Sequence, residues 1–204
     1  MKPVIKYLII AIVVYFIIGY INQFVAENQV NHEINVKPLF DRGHNLLPQF
    51  SKNLANIGLI SFIVYFVVRW GIKYPYTIVN YLWIVSILFV GRVIIFTMTQ
   101  TPPALPDCST INTGDSLYFN VFRKNSNECL DYMYSGHSIH CVLIMLFTLY
   151  LPCSIWEKLF ILFFLLLELV FIIGSRIHYT SDVLVATLVT VLIFLAWYRK
   201  TQII

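Results

Sequence analysis

Six stretches of the chain are apolar over the length of a membrane crossing, about 20 residues of helix for a hydrocarbon core about 30 Å thick. They cover approximately residues 4–21, 54–70, 76–98, 138–156, 159–175 and 183–198. Backbone polar groups in lipid must be satisfied within their own segment, so each stretch is expected to be a helix. Two long polar loops, about 22–53 and 99–137, alternate with short links. The first stretch follows Lys2 and Lys6. It is longer than a secretory h-region of about 7–15 residues and no small-residue cleavage site follows it, so it reads as an uncleaved first span. No internal repeat, low-complexity tract or linker interrupts the pattern, and one domain over 1–204 is expected.

Composition agrees with this pattern. Of the 204 residues, 59% are hydrophobic and 12% charged, against about 25% charged in soluble domains. The expected fold is an all-α integral membrane protein, a six-transmembrane-helix bundle. Arg69, Lys73 and Lys158 lie in the short links, and Lys2, Lys6, Arg199 and Lys200 in the tails, with Glu157 the one acid among them. The long loops hold Lys37, Arg42, Lys52, Arg123 and Lys124, but also Glu27, Glu33, Asp41, Asp107, Asp115, Glu128 and Asp131. The positive-inside rule then puts both termini in the cytosol and the long loops on the lumenal or extracellular side.

That topology brings two histidine motifs to one face. Ser135-Gly136-His137 stands at the outer end of the fourth span; the chain crosses twice and re-emerges at "SRIHYTSD", which contains His178 and Asp182. A carboxylate four residues on shares a helical face with the imidazole. It can hold the Nδ1–H and leave Nε2 as a nucleophile or base. A helix N-terminus at Ser135 and Gly136 offers free N–H groups and positive dipole to a phosphate. Gly136 permits close approach, and His137 can protonate a leaving alkoxide. Singly, each motif has a bland reading, a headgroup-region histidine or a helix-start hydrogen bond. Together they describe a phosphoryl-transfer site that uses no metal and no other cofactor.

Other polar residues leave alternatives open. Arg92 and Glu168 lie at similar depth in the third and fifth spans, where charge is expensive. Arg92 neutralises a phosphate or pairs with Glu168. Asp131 faces a cationic headgroup or caps a turn. Tyr134 and Tyr179, like Tyr132, offer ring faces for a quaternary ammonium or serve as interfacial anchors. His44 and His140 are left without a role. Cys108 and Cys129 flank the second long loop and are candidates for a disulfide worth about 3 kcal/mol. Cys141 and Cys153 read as packed free thiols. No zinc-ligand spacing and no N-x-[ST] sequon occurs.

These residues resemble a known family. "CLDYMYSGHS" and "HYTSDVLVA" are similar to the two hallmark motifs of the sphingomyelin synthase family, within the phosphatidic-acid-phosphatase-like lipid phosphotransferases. "KPLFDRGHNLLPQF" resembles the Pro-Leu-x-Asp segment after that family's first span, and "RVIIFTMTQTPP" its third-span segment, with Arg92, Thr99 and Pro102 aligned. Leu130 and Ser138 depart from the usual Gly and Thr without altering the reactive atoms. Arg176 stands nearer the histidine than the arginine of the broader phosphatase motif, with headgroup-region snorkelling as the equal alternative to phosphate binding.

The resemblance implies that His178, held by Asp182, attacks a glycerophospholipid phosphorus while His137 serves as acid and then base. Ceramide accepts the phospho-headgroup and diacylglycerol is released. Phosphatidylcholine is the first expectation for the donor, with ethanolamine or inositol headgroups, or hydrolysis by water, as alternatives. A non-catalytic ceramide or phospholipid sensor is the reading from outside the enzymes. Implied partners are membrane lipids and no nucleic acid. A Golgi or plasma membrane, or the endoplasmic reticulum, would present the site on its lumenal or external side.

Overall fold

The computed structural model describes residues 2–28, 37–99, 101–102, 104 and 133–201. Among the described residues every regular element is a helix. In chain order they are α1 (Lys2–Asn28), α2 (Arg42–Leu46), α3 (Lys52–Phe66), α4 (Pro75–Met98), α5 (Gly136–Tyr150), α6 (Ile155–Gly174) and α7 (Thr180–Thr201). A π-helical turn, Val67–Gly71, prolongs α3 to the cationic link before α4.

Local chemistry explains where the helices begin. Asp41, Ser51, Ser135 and Ser154 each cap a helix by accepting from a backbone N–H two or three residues on. Pro75 occupies the first turn of α4, where its missing N–H is no loss. The hydropathy pattern extends the fourth span to 156, but α5 stops at Tyr150 and α6 begins at Ile155. Pro152 lacks an N–H and disfavours helix in the residue before it, and Ser154 then starts α6. The short α2, inside a loop, was not expected from hydropathy.

Among the described residues, four helices are long and apolar enough to cross a membrane: Pro3–Val25, Lys52–Gly71, Pro75–Met98 and Thr180–Lys200. The 20-residue α6 has the length but carries Glu157, Lys158 and Glu168. At 15 residues, α5 is only about 22 Å long. It sits at the centre of the bundle, against α3, α4, α6 and α7, and Ser138 to Thr148 are all buried. Enclosed by other helices, it need not match the thickness of the lipid. In contrast, α1 lies along α4, with Asn22 donating to Phe89 O at 3.2 Å, and leaves most of its apolar surface outward. An outward apolar surface of this kind fits a multi-pass membrane protein.

The two ends of the bundle differ. At one, Arg69 makes a two-pronged ion pair with Glu157 at 2.8 and 3.2 Å, and Tyr65 OH donates to the same carboxylate at 2.9 Å. At the other, the α2 segment, the end of α4 and the starts of α5 and α7 converge.

Candidate functional site

The starts of α5 and α7 are fastened directly to one another. Ser135 N–H donates to Asp182 O at 3.3 Å, and the buried Ser135 Oγ accepts from Ser138 N–H at 3.2 Å. This contact sets the Ser135-Gly136-His137 turn beside the α6–α7 loop. The rings of His137 and His178 consequently lie 6.2 Å apart between centroids, inclined at 65°. A gap of that size accommodates one tetrahedral phosphorus between two ring nitrogens.

His178 precedes the first residue of α7 and is held from several sides. Burial pushes its imidazole down to about 3, Arg92 adds repulsion, and Asp182 acts in the opposite sense. The ring is therefore neutral at physiological pH, the form a nucleophile requires. Asp182 is fully buried, and its Oδ2 accepts from Tyr179 N–H at 3.0 Å. This is the return half of a capping box. One carboxylate thus serves both as a helix-start bond and as the counter-charge to His178.

Arg92 reaches the site from α4. Its Nε donates to Tyr134 O at 2.8 Å, and a Cβ on Gly136 would lie 3.7 Å from its Nη1. Glu168 lies instead against Gly58 of α3, and no ion pair joins it to Arg92. The geometry therefore corrects the pairing alternative and leaves Arg92 beside the phosphate-sized gap.

Both motif tyrosines also depart from expectation. Tyr134 is 1% exposed, its hydroxyl bonding Leu88 O, and Tyr179 is 3% exposed. The Tyr179 ring stacks on His44 at 5.6 Å, and its hydroxyl bridges Leu39 N–H and Pro102 O at 2.9 and 3.1 Å. Neither ring face is open to an ammonium group, so both tyrosines wall the site. Asp131, Tyr132 and the Cys108–Cys129 pair lie outside the described residues. Cys141 and Cys153 are free thiols. Arg176 adopts a left-handed backbone, φ 57°, in the turn that closes α6.

Three residues absent from the sequence-derived set build the site. Asn56 Oδ1, on α3, lies 3.0 Å from His137 Nε2 and accepts its N–H, fixing the ring plane. His44 Nε2 donates to His178 O at 3.0 Å. Asp41 caps α2 through His44 N–H at 3.0 Å and accepts from both N–H and Oγ1 of Thr180, at 2.7 and 2.6 Å. Burial works against charge on Asp41, yet the Thr180 hydroxyl and the N–H groups of His44 and Thr180 hold its carboxyl below the ordinary value. Asp41 and His44 belong to the "KPLFDRGHNLLPQF" motif, a signal that was present; a lone Asn56 in an apolar helix carried none. His140 turns inward to Tyr81 OH.

Among the described residues no cluster of three His, Cys, Asp or Glu side chains could hold a metal. Residues 128–200, which contain both histidine motifs, match the family model described as PAP2 superfamily C-terminal. That match supports the phosphatidic-acid-phosphatase-like superfamily, whose members are typically lipid phosphatases or phosphotransferases. No curated protein matches the chain.

Proposed function

We propose that this chain is a sphingomyelin synthase-like transferase that moves a phospho-headgroup, phosphocholine first, from a glycerophospholipid to the primary hydroxyl of ceramide. The observation that carries this reading is the facing pair of histidines, one buried, neutral and beside Asp182, the other fixed by Asn56. Nitrogen of His178 attacks phosphorus, and the bond from phosphorus to the diacylglycerol oxygen breaks. His137, protonated in the donor complex where the lipid phosphate lies beside it, gives that oxygen its proton, so that neutral diacylglycerol leaves. The neutral His137 then takes the proton of the ceramide hydroxyl as its oxygen attacks phosphorus. The N–P bond breaks, and both histidines return to their starting forms.

Arg92 would neutralise the phosphate oxygens from the α4 side, aided by the Ser135–Gly136 helix start. In this reading α5 and α6 complete a six-span bundle with cytosolic termini. The Arg69–Glu157 end faces the cytosol, and the site opens to the lumen or exterior of a Golgi, plasma or endoplasmic reticulum membrane.

Hydrolysis is the second reading, because the PAP2 match includes phosphatases and water could replace ceramide at the same residues. The test is transfer in defined liposomes. Intact protein and His178→Ala receive fluorescent ceramide with phosphatidylcholine, phosphatidylethanolamine or phosphatidylinositol, one at a time. A labelled sphingophospholipid made only by the intact protein is expected and names the headgroup. Diacylglycerol released with ceramide unused would establish the hydrolase. No turnover of any lipid, with ceramide still bound, would leave a sensor.

A further inference from the structure

A groove of about 400 Å³ runs between α3 and α6 on the outer face of the bundle. Its walls include Leu54, Ile57 and Gly58 from α3, and Phe160, Phe164 and Glu168 from α6. The hydroxyls of Ser61 and Tyr65, also on its walls, are spent on Ile57 O and Glu157, whereas Glu168 is 2% exposed and its Oε1 has no hydrogen-bond partner. Such a carboxyl oxygen in an apolar wall is costly unless something supplies a donor. Gly58 makes room for it, since a Cβ there would collide with both Glu168 oxygens and its carboxyl carbon.

The groove and the site share the first turns of α3. Gly58 follows Asn56 by two residues, about 3 Å of helix rise, and Asn56 is the residue that holds His137. Ile57, between them, is 59% exposed at the groove wall. A lipid lying in the groove would carry its polar linkage at the level of Glu168 and its terminal hydroxyl toward His137.

Lipid chemistry decides which substrate fits. The hydrocarbon chains and ester carbonyls of a diacyl glycerophospholipid offer no hydrogen-bond donor at that level. An N-acyl amino alcohol offers an amide N–H and a secondary hydroxyl. We propose, resting on the transferase reading above, that the α3–α6 groove seats a chain of the acceptor lipid and that Glu168 selects it by accepting a hydrogen bond from its amide or secondary hydroxyl.

The experiment uses full-length protein in nanodiscs with a ceramide that carries a photoactivatable diazirine in its acyl chain. Adducts are mapped by peptide mass spectrometry, with unlabelled ceramide or phosphatidylcholine as competitor. Adducts on α3 and α6, competed at least about tenfold better by ceramide, are expected. Glu168→Leu should weaken ceramide competition about tenfold, Glu168→Gln, which keeps an acceptor oxygen, much less, and Ile57→Trp should remove the adducts by filling the groove. Adducts on other helices, or equal competition by both lipids, would overturn the proposal. Crosslinking needs no turnover: a misplaced adduct with intact transfer defeats only this inference, whereas adducts in the groove without turnover defeat only the transferase reading.

Discussion

At His178 the ring and its peptide unit answer to different partners, the ring to the Asp182 charge and the carbonyl to His44 Nε2. His137 has a simpler support, the one amide oxygen of Asn56. Under the proposed transfer, a ring displaced by an ångström loses rate steeply, so Asn56→Ala should lower kcat about 10–100-fold while KM for ceramide stays nearly fixed. Asn56→Asp, which keeps an acceptor oxygen, should recover most of the loss; equal losses in both variants would contradict the positioning role. The His178 environment also sets a pH dependence. Its folded value lies near 3, against an ordinary 6.5, so between those limits the unfolded chain binds more protons and stability rises with pH. Lowering pH from 7.5 to 5 should reduce the Tm of detergent-solubilised protein, and His178→Ala should suffer a smaller reduction.

At the scale of elements, α2 works as a clamp on the start of α7. Asp41 joins the two through His44 N–H and Thr180, and Gly43 lets them approach, since a Cβ there would strike Thr180 Oγ1 and lie 2.8 Å from Ile173 Cγ2. Loss of such a cap costs about 1–2 kcal/mol. Asp41→Ala should therefore lower thermal stability modestly but activity more strongly, because the released turn contains His178. Loss of activity only in proportion to loss of folded protein would argue against the clamp. This element was hard to read from hydropathy because five residues in a polar loop show no period. The α5–α6 boundary was misplaced for a related reason: Leu151 to Ser154 hardly interrupts an apolar run, and only the geometry of Pro152 and the Ser154 cap divides it.

Across the whole molecule, four separated segments meet at one end of a helical bundle. The meeting of His137 and His178 at one end of the bundle was legible because their motifs stand at the ends of successive apolar stretches. The side-chain partners were not, since contacts such as Asn56 with His137 depend on helix rotation, which an almost uniformly apolar helix does not record. Likewise, the walls built by Tyr134 and Tyr179 resembled binding surfaces until burial separated packing from access. In the proposed mechanism His178 carries the phosphoryl group in transit. This step is tested most directly by incubating the protein with donor phospholipid in the absence of ceramide, quenching at alkaline pH and analysing peptides by mass spectrometry. A headgroup-phosphate adduct on His178 that disappears on adding ceramide as labelled product forms is expected. Full turnover by His178→Ala, or an adduct on another residue, would contradict that step.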